Sequence, residues 1–165
     1  MRSKQAGRSG ATPTIAAMRV EEYVAASDGE REAHLAGLSA DELLNWGIEL
    51  YNAGEYWHAH EAWEAVWLEA PNELRPFYQG LIQVAAAFVH VTRGEYPGSV
   101  RLLQAGIEKL ETYPEDYLGV DIASLLDGAR RARARLVELG ERRLGEFAGG
   151  LIPRITRAVT KGEAS

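Results

Sequence analysis

The run Tyr56-Trp57-His58-Ala59-His60-Glu61-Ala62-Trp63-Glu64-Ala65-Val66-Trp67 decides the fold. It lies between Gly54 and Pro71, two residue types that stop helices, and nothing inside it breaks one. At helical spacing Tyr56, Ala59, Trp63, Val66 and Trp67 share one apolar face. Trp57 and Leu68 lie further round and predict a second apolar edge. His60 and Glu64, four residues apart, fall between the two, with Glu61 just beyond, while His58 and Glu69 point away. All four tryptophans lie between Trp46 and Trp67, which thickens this wall. A carboxylate inside so wide an apolar arc must be paired, hydrogen-bonded or protonated, because desolvating it alone is too costly.

The same punctuation divides the rest of the chain into helices. Ser39 followed by Glu42 is a capping-box pattern and opens a helix through Leu43, Leu44, Trp46, Leu50 and Tyr51 to Gly54. Two shorter helices are expected before it, over about residues 19–27 and 28–38. Beyond Pro71, Asn72 is expected to cap a helix with Pro76 in its first turn, ending at Gly94. Pro97 and Ser99 open another, to about Thr112, and Asp121 caps a last long one, to about Leu139. No long stretch alternates apolar and polar with the period of a strand.

Gly54-Glu55-Tyr56 recurs as Gly94-Glu95-Tyr96. In register behind the two copies, Ala59 matches Ser99, Trp63 matches Leu103 and Trp67 matches Ile107. The first copy also fits the tetratricopeptide frame, with Leu43, Trp46, Gly47, Leu50, Ala59, Trp63 and Pro71 at its spacings. Two degenerate copies predict a compact all-α bundle of antiparallel helical hairpins with tetratricopeptide-like pairing. A long solenoid usually needs at least three repeats.

The 165 residues argue for one domain, expected over 15–147. A small, polar and basic N-terminal stretch, 1–14, is expected to be disordered, and 148–165 to be an extended, frayed tail. With 46% hydrophobic and 25% charged residues the composition is that of a soluble globular protein. The absence of Cys removes disulfides, thiolate metal sites and a cysteine nucleophile. A net charge of −6 argues against broad nucleic-acid binding or docking on an anionic membrane. The basic run Arg130, Arg131, Arg133, Arg135 reads as a solvated helix face. Met1–Thr14 lacks the apolar core of a secretory signal, and the longest charge-free run, Pro76–Thr92, is too polar to span a membrane. A cytoplasmic location is expected.

The helix after Pro71 is apolar almost all round except for one stripe: Arg75, Gln79, Gln83 and His90. A polar stripe on a buried helix must face a partner or a pocket. The preceding helix is joined to it by a short turn, so His60, Glu61 and Glu64 are expected opposite the stripe, with Trp57 beside them as a candidate pocket wall or oligomer contact. Arg75 is expected to pair with Glu61 or Glu64, and His60 to share a cavity with His90.

The stretch Tyr51-Asn52-Ala53-Gly54-Glu55-Tyr56-Trp57-His58-Ala59-His60-Glu61-Ala62-Trp63-Glu64 resembles the signature of domain of unknown function family 309. So do Arg75-Pro76-Phe77-Tyr78-Gln79-Gly80-Leu81-Ile82-Gln83 and the Arg93-Gly94-Glu95 turn. The resemblance covers about residues 41–110 and implies a small all-helical protein. It marks His60, Glu61, Trp63, Glu64, Gln79 and Gln83 but supplies no reaction, since that family has no agreed activity.

Four readings of the cluster remain open. A structural network would have Arg75 neutralise the carboxylates while the glutamines satisfy what is left. A pocket for a small polar or anionic ligand would be walled by the aromatics. A divalent metal centre, zinc or iron, would draw on His60, Glu64 and His90. Against it, Glu64 stands where a zincin helix carries its second His, and the Glu-x-x-His spacing of di-iron bundles is absent here. Acid–base catalysis would fall to Glu61 or Glu64; no Ser-His-Asp order, phosphate-binding Gly loop or dinucleotide fingerprint is present. A binding or accessory protein follows from the pocket, a metal-dependent enzyme from the metal site, and a peptide-binding module from the repeat. A homo-oligomer is left open.

Overall fold

The structure is a computed structural model that describes residues 18–158. The expected tail over 1–14 lies outside the described residues. Among them are seven α-helices: α1 (Val20–Ala25), α2 (Asp28–Ala36), α3 (Ala40–Asn52), α4 (Tyr56–Glu69), α5 (Arg75–Thr92), α6 (Tyr96–Leu110) and α7 (Ile122–Leu139). The all-α bundle expected from the sequence is therefore the observed architecture. The strands are β1 (Asp116–Tyr117) and β2 (Val120–Asp121), a two-stranded antiparallel hairpin before α7. No helix among the described residues is long and apolar enough to cross a membrane.

The local signals explain where each element begins. Ser39 accepts from the Glu42 backbone N–H, and Glu42 accepts from the Ser39 N–H, closing the capping box of α3. Asp121 accepts from the Ser124 N–H at the start of α7. The two Gly-Glu-Tyr copies are alike in backbone as well as in sequence. Gly54 and Gly94 sit at φ of +85° and +74°, which an L side chain rarely adopts, and each turn leads into a helix that starts on its Tyr. The entry to α5 differs from expectation. Asn72 is not its cap: a turn in which the Leu74 N–H donates to Pro71 O precedes it, and Leu74 is the N-cap.

Helix α5 is the centre of the bundle, packed between α4 and α6, with α3 on the far side of α4 and α7 against α6. Small residues allow these approaches: Gly106 of α6 lies against the backbone of Gly80 and against Val84 in α5. The core holds Trp63, Tyr51, Phe77, Phe88, Leu81 and Leu103, all fully buried. The chain after Phe147 returns across the bundle. Pro153 packs on Gly128, Ile155 enters the core, and the Asn52 side chain holds the Ile155 backbone with two hydrogen bonds of 2.8 and 2.9 Å. The Tyr51 hydroxyl donates to Pro153 O at 2.7 Å. In α7, Arg130, Arg131 and Arg135 each pair with a carboxylate, as a solvated helix face would, whereas Arg133 is half-buried, its Nε without a hydrogen-bond partner among the described residues.

Candidate functional site

Helices α4 and α5 meet along a seam whose two ends are marked by Arg–Trp contacts. At one end the guanidinium of Arg75 lies 4.3 Å from the ring centre of Trp67 and donates to Trp67 O at 3.2 Å. At the other, Arg93 stands 6.0 Å from the ring centre of Trp57. Between these ends α4 carries His60 and Glu64, and α5 carries Gln79 and Gln83. His60 stacks on Trp57, with ring centres 5.0 Å apart and 11° between planes. Three polar atoms here are buried without a hydrogen-bond partner among the described residues: Trp67 Nε1, His60 Nδ1 and Gln83 Oε1.

Several sequence expectations are corrected. Arg75 makes no ion pair with Glu61 or Glu64; the indole and carbonyl of Trp67 hold it instead. The reason is helix phase. Glu64 is exposed, and Glu61 turns toward the other side of α4, with its Oε1 3.6 Å from His58 Nδ1. Trp57 and Leu68 do not form a second buried edge, being 48% and 63% exposed. His90 turns to α6 rather than to His60: its ring covers Gly98 and its Nδ1 lies 2.6 Å from Glu95 Oε1. His60, Glu64 and His90 therefore do not converge, and no three His, Asp or Glu residues among the described ones are gathered as a metal ion requires.

A second cluster, on the opposite side of α4, was not legible as a site. Tyr23 of α1 touches three rings edge-on: His34 at 5.5 Å, Trp46 at 5.3 Å and His58 at 5.6 Å between centres. His34 and Trp46 are themselves 5.1 Å apart. Each ring carries a buried polar atom without a hydrogen-bond partner among the described residues: Tyr23 Oη, His34 Nδ1, Trp46 Nε1 and His58 Nδ1, the last of which has only the Glu61 carboxylate, at 3.6 Å. Burial, with the nearby Glu61 charge adding to it, pushes the Tyr23 hydroxyl up to about 12. Burial also holds His34 below the ordinary imidazole range, favouring its neutral form. His34 and Trp46 line an open cleft of about 600 Å³ under α1 and α3. The one signal for this cluster was an aromatic or imidazole ring in each of two short, charged helices, Tyr23 and His34.

Residues 44–102 match the family model described as Domain of unknown function (DUF309). The resemblance drawn from the motifs is borne out over that segment, which contains the whole α4–α5 seam. An uncharacterized protein of Aquifex aeolicus (strain VF5) is 28% identical over 114 residues, covering 67% of this chain and 32% of the relative. The chain thus matches about a third of the length of that curated relative. Tyr23 and His34 lie ahead of the family match.

Proposed function

We propose that the chain is a binding domain for a small ligand with a flat anionic group, and that its site is the α4–α5 seam. The observation that carries this reading is the state of Arg75. Its half-buried guanidinium is backed by the Trp67 ring and has no carboxylate within ion-pair distance among the described residues. Guanidinium stacked in this way keeps its planar donor edge for a carboxylate or phosphate, which it can bind at two points. Gln79 stands one turn further along α5, and the buried Trp67 Nε1–H has no acceptor among the described residues.

The test is titration of the full chain with benzoate and with inorganic phosphate, followed through the indole N–H of Trp67 and the Nε–H of Arg75. Saturable shifts at both groups, lost in Arg75→Gln, are expected. Shifts that never saturate, or that survive Arg75→Gln, would remove this site. A peptide-binding module is the second reading, favoured by the Gly54 and Gly94 repeat and by Trp57 and Leu68, both exposed on α4.

A further inference from the structure

We propose that α1 and α2 form a hinged arm that swings off α3 and α4 at the Leu38–Ser39 link, and that protonation of His34 promotes the swing. The arm is one unit. Arg31 of α2 reaches back to Val24 O and Ala26 O at the end of α1, and the Ser27–Glu30 capping box closes the turn between the two helices. Its attachment to the rest of the molecule is of another kind. Among the described residues no hydrogen bond or ion pair joins 19–38 to 39–158. The Leu38 N–H still donates back to Leu35 O and Ser39 already caps α3, so rotation at this link breaks no hydrogen bond. Helices α3, α4, α5 and α6 pack on one another in turn, and neither α1 nor α2 packs on any of them to a comparable extent.

Rings therefore hold the arm closed: Tyr23 against Trp46 and His58, and His34 against Trp46, aided by the partly buried Val20 and Leu35. Opening gives water to Tyr23 Oη, His34 Nδ1 and Trp46 Nε1, which the closed contact leaves without hydrogen-bond partners among the described residues, and this offsets part of the cost of exposing the rings. His34 makes the contact acid-sensitive. The residue is 5% exposed. His58 and His90 each have a carboxylate within ion-pair distance, at 3.6 and 2.6 Å, and His34 has none among the described residues. Around it stand Tyr23 of α1, Trp46 of α3 and, across Tyr23, His58 of α4 with Glu61. Glu21, Glu42 and Glu49 share the cleft that His34 lines, beyond ion-pair distance, as does Arg19, which is near Glu21 and Glu22. On its own helix Glu30 accepts from the Ser27 N–H, and Arg31 is paired with Asp28. A proton on His34 thus puts a charge into the closed contact with no counter-ion touching it, whereas the open arm surrounds that charge with water. Burial accordingly holds the closed ring below the ordinary imidazole range, so acid favours the open arm.

The test is amide hydrogen exchange of the full chain, followed residue by residue from about pH 7.5 to about pH 5 and corrected to free-peptide rates. Helix α2 has nine residues, too few to persist as a helix away from the body, so its amides report release. They should exchange at least about tenfold faster than the amides of α5, and their opening should grow by up to about tenfold per pH unit below about pH 6.5, the linkage of one proton. His34→Phe, which keeps a ring but takes up no proton, should leave α2 equally protected at both ends of the range. His34→Gln should give the same flat profile, and His58→Gln should keep the growth of the parent. Exchange of α2 in step with α5 at every pH would overturn the arm as a separate unit. Growth that is absent from the parent, that survives in both His34 variants, or that disappears in His58→Gln would overturn the part assigned to His34.

Discussion

The indole of Trp63 lies across Gly47: a Cβ on that glycine would stand 2.1 Å from Trp63 Nε1. The same nitrogen donates to Leu44 O at 3.2 Å, so the ring is tied to α3 one turn before the glycine. The contact fixes how closely α3 and α4 approach. Gly47→Ala is therefore expected to cost at least about 1–3 kcal/mol, the range for forcing extra atoms into a packed core. Urea unfolding measures it through a lowered midpoint at unchanged slope. A cost below about 0.5 kcal/mol, the scale of a neutral surface change, would mean that the two helices slide apart freely.

Two tryptophans of α4 should separate cleanly. Trp63 is fully buried, and Trp63→Ala should cost about 3–5 kcal/mol. Trp57 is half in solvent and stacked on His60, so Trp57→Ala should stay within about 1 kcal/mol of the parent while changing ligand response at the seam. Chemical denaturation of the pair, run beside the benzoate titration, checks both halves. Equal destabilisation would mean that the exposed face of Trp57 is covered in solution.

Tyr23 carries a hydroxyl that finds no hydrogen-bond partner among the described residues although the residue is fully buried. Removing such an oxygen while keeping the ring should relieve a penalty of about 1–3 kcal/mol. Tyr23→Phe is thus expected to raise the ligand-free protein's melting temperature. A lower melting temperature would show that the oxygen already holds a bound water or another guest.

The pH dependence follows from His34, whose imidazole burial holds below its ordinary value of 6.5. In the unfolded chain the ring takes up a proton near that value, whereas the folded protein resists it. Its contribution to stability is therefore complete above about pH 6.5 and is lost as pH falls toward the lowered folded value. His34→Gln should flatten the fall in stability between about pH 7 and about pH 5. An unchanged slope in the variant would assign the acid sensitivity to other groups.

Most helix boundaries were legible because they rest on local chemistry: Ser39 with Glu42, Gly54, Pro71, Gly94 and Asp121 act on backbone groups a few residues away. The burial of Trp63 was legible for a related reason, since small residues at Gly47 and Ala59 leave the space that a large ring fills. The partner of Arg75 was not. Charge arithmetic favoured a carboxylate, but the phase of α4 turns Glu61 to the opposite side and leaves Glu64 in solvent, while Trp67 offers both a ring face and a carbonyl. The ring cluster of Tyr23, His34, Trp46 and His58 joins four elements, α1, α2, α3 and α4. Periodicity within any one of them says nothing about the others.

The return of the chain across the bundle bears on synthesis. Asn52 and Tyr51 take their partners at Ile155 and Pro153, more than 100 residues later, so these bonds have no counterpart while the polypeptide is still emerging from the ribosome. Helices α3 to α6 are neighbours in order along the chain and can dock as each appears. The last bonds wait until residues 153–155 have emerged. Contacts between residues more than 100 apart in sequence are expected to close late, so weakening the clasp by Asn52→Ala should leave the folding rate nearly unchanged and quicken unfolding, as stopped-flow kinetics would measure.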